Sequence, residues 1–336
     1  MATTRAGRAL EAWEALTRTC LRPADGGGLA VLERPGRRKL APVWPVSQVL
    51  AAAIDLAALS GTYDAAERLV IGLRPYAAGT GFLPAPGDRR RYYDDNAWLG
   101  LCFAQLHLQT GEARWLRRSR TIFRFVREGQ DPDGGVRWVE GRRARHTCAA
   151  APAAQLALRL HLADGDQASL AFAERTLGWL DATLRHRGGL YADHVDARGR
   201  VDPTLWTYNQ GAPIGALWLL HVATGNGDAL ERARSTASAS LARFDHDRTW
   251  RHAPVFNAVW FRNLLALDAS ATRVGGLIPA LDAYLTRAWR EGRDDDGLFT
   301  AGDIGSYDGT QAIDAGGLAQ LFAVRVWPRD RRADIC

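Results

Sequence analysis

Residues 97–127 read Ala97-Trp98-Leu99-Gly100-Leu101-Cys102-Phe103-Ala104-Gln105-Leu106-His107-Leu108, then Gln109-Thr110-Gly111, then EARWLRRSRTIFRFVR from Glu112 to Arg127. The first part is apolar on nearly every side of a helix, a pattern that requires neighbours all round. The glycine after it suits the left-handed position at which helices commonly end. The second part carries one apolar stripe and a charged remainder, as an element with one wet face does.

The same unit recurs along the chain. Leu59-Ser60-Gly61, Ala163-Asp164-Gly165 and Ala223-Thr224-Gly225 each close an apolar helix and lead into a more charged one. Gly61, Gly111, Gly165 and Gly225 therefore stand 50, 54 and 60 residues apart, an irregular helix-hairpin repeat. Periodicity and end signals predict twelve helices, over residues 5–20, 44–60, 62–77, 94–109, 112–129, 146–164, 166–184, 207–224, 227–243, 255–268, 270–291 and 308–326. Strand-like alternation is confined to Val136–Val139 and Gly188–Val195, read as short ribbons in loops. The even-numbered helices are the apolar ones, as in Val46–Leu59, Ala149–Leu162 and Ala212–Val222. They are expected to form an inner ring and the odd ones an outer ring. The expected fold class is all-α, an (α/α)6 toroid of six helical hairpins, forming a single domain over residues 1–336 with a flexible tail at 327–336. An α-solenoid uses the same hairpins but with a more regular period.

Composition narrows the function. Hydrophobic residues make up 47% and charged residues 24% of the 336, the balance of a globular chain with a sizeable core. The net charge of +6 comes from arginine, with Lys39 the lone lysine. The Arg clusters at 89–91, 142–145 and 329–332 lie in turns and at the tail, with no basic stripe interleaved with aromatics. Nucleic-acid binding is therefore not expected. Cys20, Cys102, Cys148 and Cys336 show neither Cys-x-x-Cys spacing nor disulfide-scaffold density and read as free thiols. The first residues are amphipathic and lack a signal-peptide core. No run approaches a membrane span, so the expected location is cytoplasmic. No spacing of His and carboxylates marks a metal site, and no cofactor is expected. The oligomeric state is left open.

If the inner helices run parallel, their starts share one mouth. The residues there are Trp44; Tyr92, Tyr93, Asp94, Asp95, Asn96 and Trp98; His146 to Cys148; Trp206, Tyr208, Asn209 and Gln210; Phe256 and Asn257; Tyr307 and Asp308. Aromatic faces, amides and acids are the groups that bind an oligosaccharide or another glycosylated substrate. Glycoside cleavage needs one carboxylate as nucleophile or base and one protonated carboxyl as acid. Two crowded acids suit this, since mutual repulsion raises one pKa, and a helix N-terminus favours the ionised member. Each residue also has a plainer reading. Asp94 and Asp95 could be helix caps, as could Asn209 and Gln210. Arg262 could pair with a core acid, Trp138 could cover a loop, and His146 reads as a helix-start residue.

With those residues in place, the chain resembles glycoside hydrolase family 76, the endo-α-1,6-mannanases. The resemblance is carried by Tyr93-Asp94-Asp95-Asn96-Ala97-Trp98, Gly134-Gly135-Val136-Arg137-Trp138, Ala151 to Leu160, and Trp206-Thr207-Tyr208-Asn209-Gln210-Gly211. It runs from about Trp44 to the region of Asp314. It implies a retaining hydrolase of (α/α)6 fold, with Asp94 as nucleophile and Asp95 as general acid and base. It needs no metal. Substrate contacts are expected from Trp44, Tyr93, Asn96, Trp98, Trp138, Tyr208, Asn209, Gln210, Arg262 and Asp308. One departure stands out: the family segment similar to Phe256–Asn263 usually has Lys-Gly where Asn257-Ala258 stand here. Two alternatives use the same toroid, a silent sugar-binding protein and an epimerase-like isomerase. The latter would want a pair of His bases at the rim, where His146 alone is expected.

Overall fold

The computed structural model describes residues 4–269, 273–299 and 311–336. Among them are thirteen α-helices: α1 (Arg5–Cys20), α2 (Val43–Ser60), α3 (Asp64–Gly72), α4 (Tyr93–Thr110), α5 (Ala113–Arg127), α6 (Thr147–Asp164), α7 (Gln167–Thr183), α8 (Tyr208–Thr224), α9 (Gly227–Arg243), α10 (His246–Trp250), α11 (Pro254–Ala269), α12 (Leu277–Glu291) and α13 (Gln311–Val326). Twelve answer to the predicted segments, and the five-residue α10 is additional.

The inner helices α2, α4, α6, α8, α11 and α13 pack each on the next, and α13 returns to α2 to close the ring. Outside it, α3 lies on α2, α5 on α4, α7 on α6, α9 on α8 and α12 on α11, while α1 lies on α13. This is the expected (α/α)6 toroid. The burial pattern follows the sequence pattern. Every residue from Thr147 to Leu160 of α6 is buried, whereas α5 buries only Trp115, Ser119, Ile122, Phe123, Phe125 and Val126. Close approach in the ring also constrains side chains: a Cβ on Gly211 would stand 2.5 Å from the Trp260 Cα.

Helix α2 is long and apolar enough, by length and composition, to cross a membrane, contrary to the sequence expectation. Its apolarity is explained by the ring, where α13, α4 and α3 surround it. The segment 327–336, expected to be a flexible tail, is instead packed. Trp327 and Ile335 are buried. The Trp327 indole donates to the Asp55 carbonyl (2.9 Å), Arg159 donates to the carbonyls of Ala333 (2.9 Å) and Ile335 (2.6 Å), and the Cys336 N–H donates to Gln105 Oε1 (3.0 Å). Short ribbons occur in the loops: Leu21–Ala24 with Gly28–Val31, and a three-stranded set of Arg145–His146, His194–Val195 and Val201–Asp202. Bridges link Tyr92 to Val139 and Gln130 to Val136.

The hairpin turns share one device. Gly61, Gly111, Gly165 and Gly225 cap their helices at φ of 77°, 70°, 77° and 73°. Four residues before the last three stand His107, His161 and His221, whose Nδ1 atoms meet the carbonyls of Glu112 (3.2 Å), Asp166 (3.1 Å) and Asn226 (3.0 Å). A carbonyl only accepts, so each Nδ1 carries the proton. Each imidazole thus ties the end of an inner helix to the start of the outer one.

The turn and helix glycines should respond oppositely to the same change. Gly165→Ala forces a Cβ into left-handed backbone and should cost about 1–2 kcal/mol. Gly178 lies within α7 with open space around its Cα, so Gly178→Ala should stabilise by about 0.5–1 kcal/mol. Urea unfolding of both variants gives the signs, and a shift of the same sign in both would contradict this account of the turns.

Candidate active site

The starts of the inner helices surround a cavity of about 420 Å³. Trp44 of α2, Asp94, Asp95 and Trp98 of α4, Cys148 of α6, Tyr208 of α8 and Phe256 of α11 line it, with His146, Trp138, Asp193 and Trp206 from the intervening loops. Phe256 joins the aromatic wall, with ring centroids 4.1 Å from Tyr208, 5.7 Å from Trp206 and 6.3 Å from Trp44.

Asp94 and Asp95 occupy the first turn of α4, whose N-cap is Tyr92. Neither side chain serves as the cap, so the plain capping reading fails. Their surroundings differ. Asp94 accepts the Trp138 indole N–H (2.8 Å) and the Cys148 thiol (3.5 Å) at one oxygen, and the Asp95 backbone N–H (3.0 Å) at the other. Burial pushes the Cys148 pKa up, which keeps the thiol protonated and able to donate. Among the described residues, no donor reaches the Asp95 carboxyl. Burial raises the Asp94 pKa to about 6, with its donors opposing the rise. Asp95 is raised well above the usual carboxylate range, by burial first and by the Asp94 charge second. The two titrate as a pair, and the shared proton rests on Asp95 while the donors hold the charge on Asp94.

A stack of rings backs this site. Trp138 lies 4.6 Å from His146, and His146 lies 4.4 Å from His194 with their planes 7° apart. His146 is held neutral, its pKa lowered to about 4 by burial and then by His194. Asp193 accepts from Asn209 (2.8 Å) with one oxygen and meets His194 Nδ1 (2.8 Å) with the other. Among the described residues, His146, Asp193 and His194 are the one group close enough to share a cation. Their geometry fits one poorly: lone pairs in two parallel, stacked ring planes do not converge, and both Asp193 oxygens are already committed. The second rim histidine, His194, was not foreseen; it stands behind His146 rather than on the cavity wall.

Of the expected contacts, Trp44, Trp98, Trp138 and Tyr208 face the cavity. Others turn away from it. Tyr93 stacks on Phe125 (4.7 Å) in the core, because one residue along a helix rotates the side chain by about 100°. Asn96 clamps the Phe82 backbone, accepting its N–H (2.7 Å) and donating to its carbonyl (3.0 Å). Gln210 brackets Tyr191 in the same way (2.8 and 2.9 Å). Both amides also donate to the carbonyl four residues earlier, of Tyr92 and Trp206. Asn209 reaches the site only through Asp193. Arg262 is buried on Asp55 and on Gln105 (3.1 Å), the core pairing weighed as its plainer reading. Asp308 lies outside the described residues. His146, read as a helix-start residue, stands at the N-cap of α6 and lines the cavity as well. Asp193 was missed; the signal available was its place in the ribbon after Gly188-Gly189. Asn257, at the departure from Lys-Gly, accepts from Thr207 (3.0 Å) and donates to the Thr249 carbonyl (2.9 Å), holding α10 to the start of α8.

The model of glycosyl hydrolase family 76 matches residues 28–259, more than half of the chain. No curated protein matches by sequence. Among solved structures, a family 76 mannosidase from Bacteroides thetaiotaomicron VPI-5482 is 20% identical, with TM-score 0.81, covering 96% of this chain and 97% of its own. The GH76A α-1,6-mannanase of Salegentibacter sp. HEL1_6 is 19% identical, with TM-score 0.78, covering 96% and 99%. A D-mannose isomerase is 18% identical, with TM-score 0.59, over 79% and 73%. These structural likenesses establish the shared toroid and leave the chemistry to the site.

The raised Asp94 pKa has a consequence for stability. Between its ordinary 3.8 and the folded value of about 6, the folded chain binds more protons than the unfolded one. Stability therefore falls as pH rises through that window and stays lower above it. Asp94→Asn removes the effect. At pH 8 the variant should be more stable than wild type, by on the order of 2 kcal/mol, and at pH 3 the gap should close. Urea unfolding at both pH values tests this, and an equal difference at both would contradict it.

Proposed function

Because this chain belongs to glycosyl hydrolase family 76, and so is a glycoside hydrolase, we propose that it cleaves α-mannosidic bonds, α-1,6 in linkage, with retention of configuration. The observation that carries this reading is the unequal setting of two adjacent acids in one cavity. Asp94, with three donors, is suited to stay ionised and attack. Asp95, with none among the described residues and with the higher pKa, is suited to hold a proton.

In the first step a carboxylate oxygen of Asp94 bonds to the anomeric carbon while the bond to the leaving oxygen breaks. Asp95 gives that oxygen its proton, so a neutral hydroxyl departs and a glycosyl ester remains on Asp94. In the second step Asp95, now ionised, takes a proton from water. The water oxygen bonds to the anomeric carbon and Asp94 is released as carboxylate. Two inversions restore the α configuration, and this route needs the carboxyls about 5–5.5 Å apart across the bond. Trp138 and the Asp95 backbone N–H position Asp94 and stabilise its charge when it leaves. Trp44, Trp98 and Tyr208 offer flat faces to sugar rings, and neutral His146 offers one donor and one acceptor to hydroxyls. In keeping with this reading, a solved inactive variant of the Salegentibacter enzyme, with two Asp→Asn changes, holds α-1,6-mannotriose.

An isomerase reading gains something from the second rim histidine, since that chemistry uses two bases. His146 and His194, however, stack on the same side of the cavity and do not flank a sugar.

Incubation with α-1,6-mannooligosaccharides, with the first-formed anomer read by NMR, tests the proposal. The α anomer is expected first, and Asp94→Asn and Asp95→Asn should each lower kcat by roughly 10³-fold or more. An aryl mannoside with an acidic phenol, which needs no proton to leave, should restore the first step to Asp95→Asn but not to Asp94→Asn. A β anomer released first would make the enzyme inverting, and no turnover of any α-mannoside would overturn the substrate class.

A further inference from the structure

Beside the central cavity lies a second cleft, of about 480 Å³, lined by Pro84, Gly87, Asp88, Arg89, Arg90 and Tyr92. Pro84, Asp88 and Tyr92 belong to the central wall as well, so the two spaces meet along a shared edge. The loop between is tied to α2 and closed by a turn of its own. The Pro84 carbonyl accepts the Val43 N–H at the start of α2 (2.7 Å), and the Asp88 N–H donates to the Ala85 carbonyl (3.1 Å).

Three arginines follow one another here, and they are not alike. Arg91 pairs with Glu140 (2.8 Å), donates to the Ala78 carbonyl (3.2 Å) and lies over the Phe125 ring (3.9 Å). Arg89 and Arg90 are exposed and, among the described residues, make no ion pair or hydrogen bond. Each presents five donors in a planar fork. Two such forks on one cleft wall suit a tetrahedral oxyanion, which accepts bidentate bonds. Asp88, the one acid on the wall, stands on the edge toward the central cavity, where it can accept from a sugar hydroxyl. On the same edge the Tyr92 pKa is raised, by burial first and then by the Asp95, Asp94 and Asp88 charges, with Arg90 opposing.

We propose that this cleft is an anion subsite, taking a phosphate ester carried on the glycan whose mannosidic bond lies at Asp94 and Asp95. The inference rests on the glycosidase reading of the central cavity. A neutral glycan has little use for two guanidiniums; a phosphorylated one exchanges its counterions for them.

The test compares α-1,6-mannotriose with the same triose bearing a 6-phosphate, or its methyl phosphodiester, on a terminal mannose. Assays use wild type, the double variant Arg89→Ala/Arg90→Ala, and a control, Arg142→Ala/Arg143→Ala, altered in an exposed arginine pair elsewhere. Wild type should favour the phosphorylated triose in kcat/KM by about tenfold at low salt, with the preference shrinking as salt rises. The Arg89/Arg90 variant should lose the preference while turning over the neutral triose within about twofold of wild type. The control variant should keep it. A diester favoured as strongly as the monoester would assign a chain-linking phosphate, and a preference for the monoester alone would assign a terminal one; either supports the subsite. Equal turnover of neutral and phosphorylated trioses by wild type, or a preference that survives in the Arg89/Arg90 variant, would overturn it. If neither triose is cleaved, the glycosidase reading fails separately. Calorimetric binding of the phosphorylated triose to Asp95→Asn, with and without the two arginines, then decides the subsite, and affinity unchanged by their loss rejects it.

Discussion

The constraint on which everything else depends is that six helices are apolar on all sides and must bury every face. A closed ring does this, with charged helices outside to shield it. Four inner helices, α2, α4, α6 and α8, end at a glycine in left-handed backbone, where the chain turns back outside the ring. The next inner helix then starts again at the same rim. Parallel inner helices follow from that return path, and so does the convergence of residues far apart in the chain, from Trp44 to Phe256, on one cavity. The site is a by-product of how the core is buried.

Within the cavity, selective donation separates two chemically identical side chains. Asp94 and Asp95 share a helix turn, a cavity and a largely buried setting. One collects an indole N–H, a thiol and a backbone N–H, and the other, among the described residues, collects none. That difference persists because its parts are fixed from outside the helix. Trp138 is held by the stack onto His146, and Cys148 sits in the first turn of α6. Burial costs the folded chain stability above the Asp94 pKa, a cost borne where chemistry needs a poised acid.

Much of this architecture was legible in the sequence. Fully apolar helices ended by glycine and followed by one-striped helices define both rings, and helix starts rich in aromatics and acids locate the mouth. What the sequence left unread was side-chain direction and tertiary partnership. Tyr93, Asn96 and Gln210 lie at the rim by number, but their side chains turn into the core or clamp loop backbone. Arg262 reads equally as a ligand contact or a core pair until Asp55 is seen beside it. Asp193 and His194 reach the site from a loop ribbon, whose placement depends on pairing with Arg145–His146. The packing of 327–336 depends on partners spread over four helices: acceptors at Asp55 of α2 and Gln105 of α4, and donors at Arg159 of α6 and Arg262 of α11. The His-x-x-x-Gly device was present in plain view at three turns, yet its meaning rests on a carbonyl from the next helix.

On this reading Asp94 bonds to the anomeric carbon and Asp95 is its proton partner. Covalent trapping tests it most directly: a 2-deoxy-2-fluoro-α-mannosyl donor with a good leaving group, followed by peptide mass spectrometry. A single fluoromannosyl ester on Asp94 is expected, formed at undiminished yield in Asp95→Asn. An ester on Asp95 or on Asp193, or no adduct despite turnover, would contradict it.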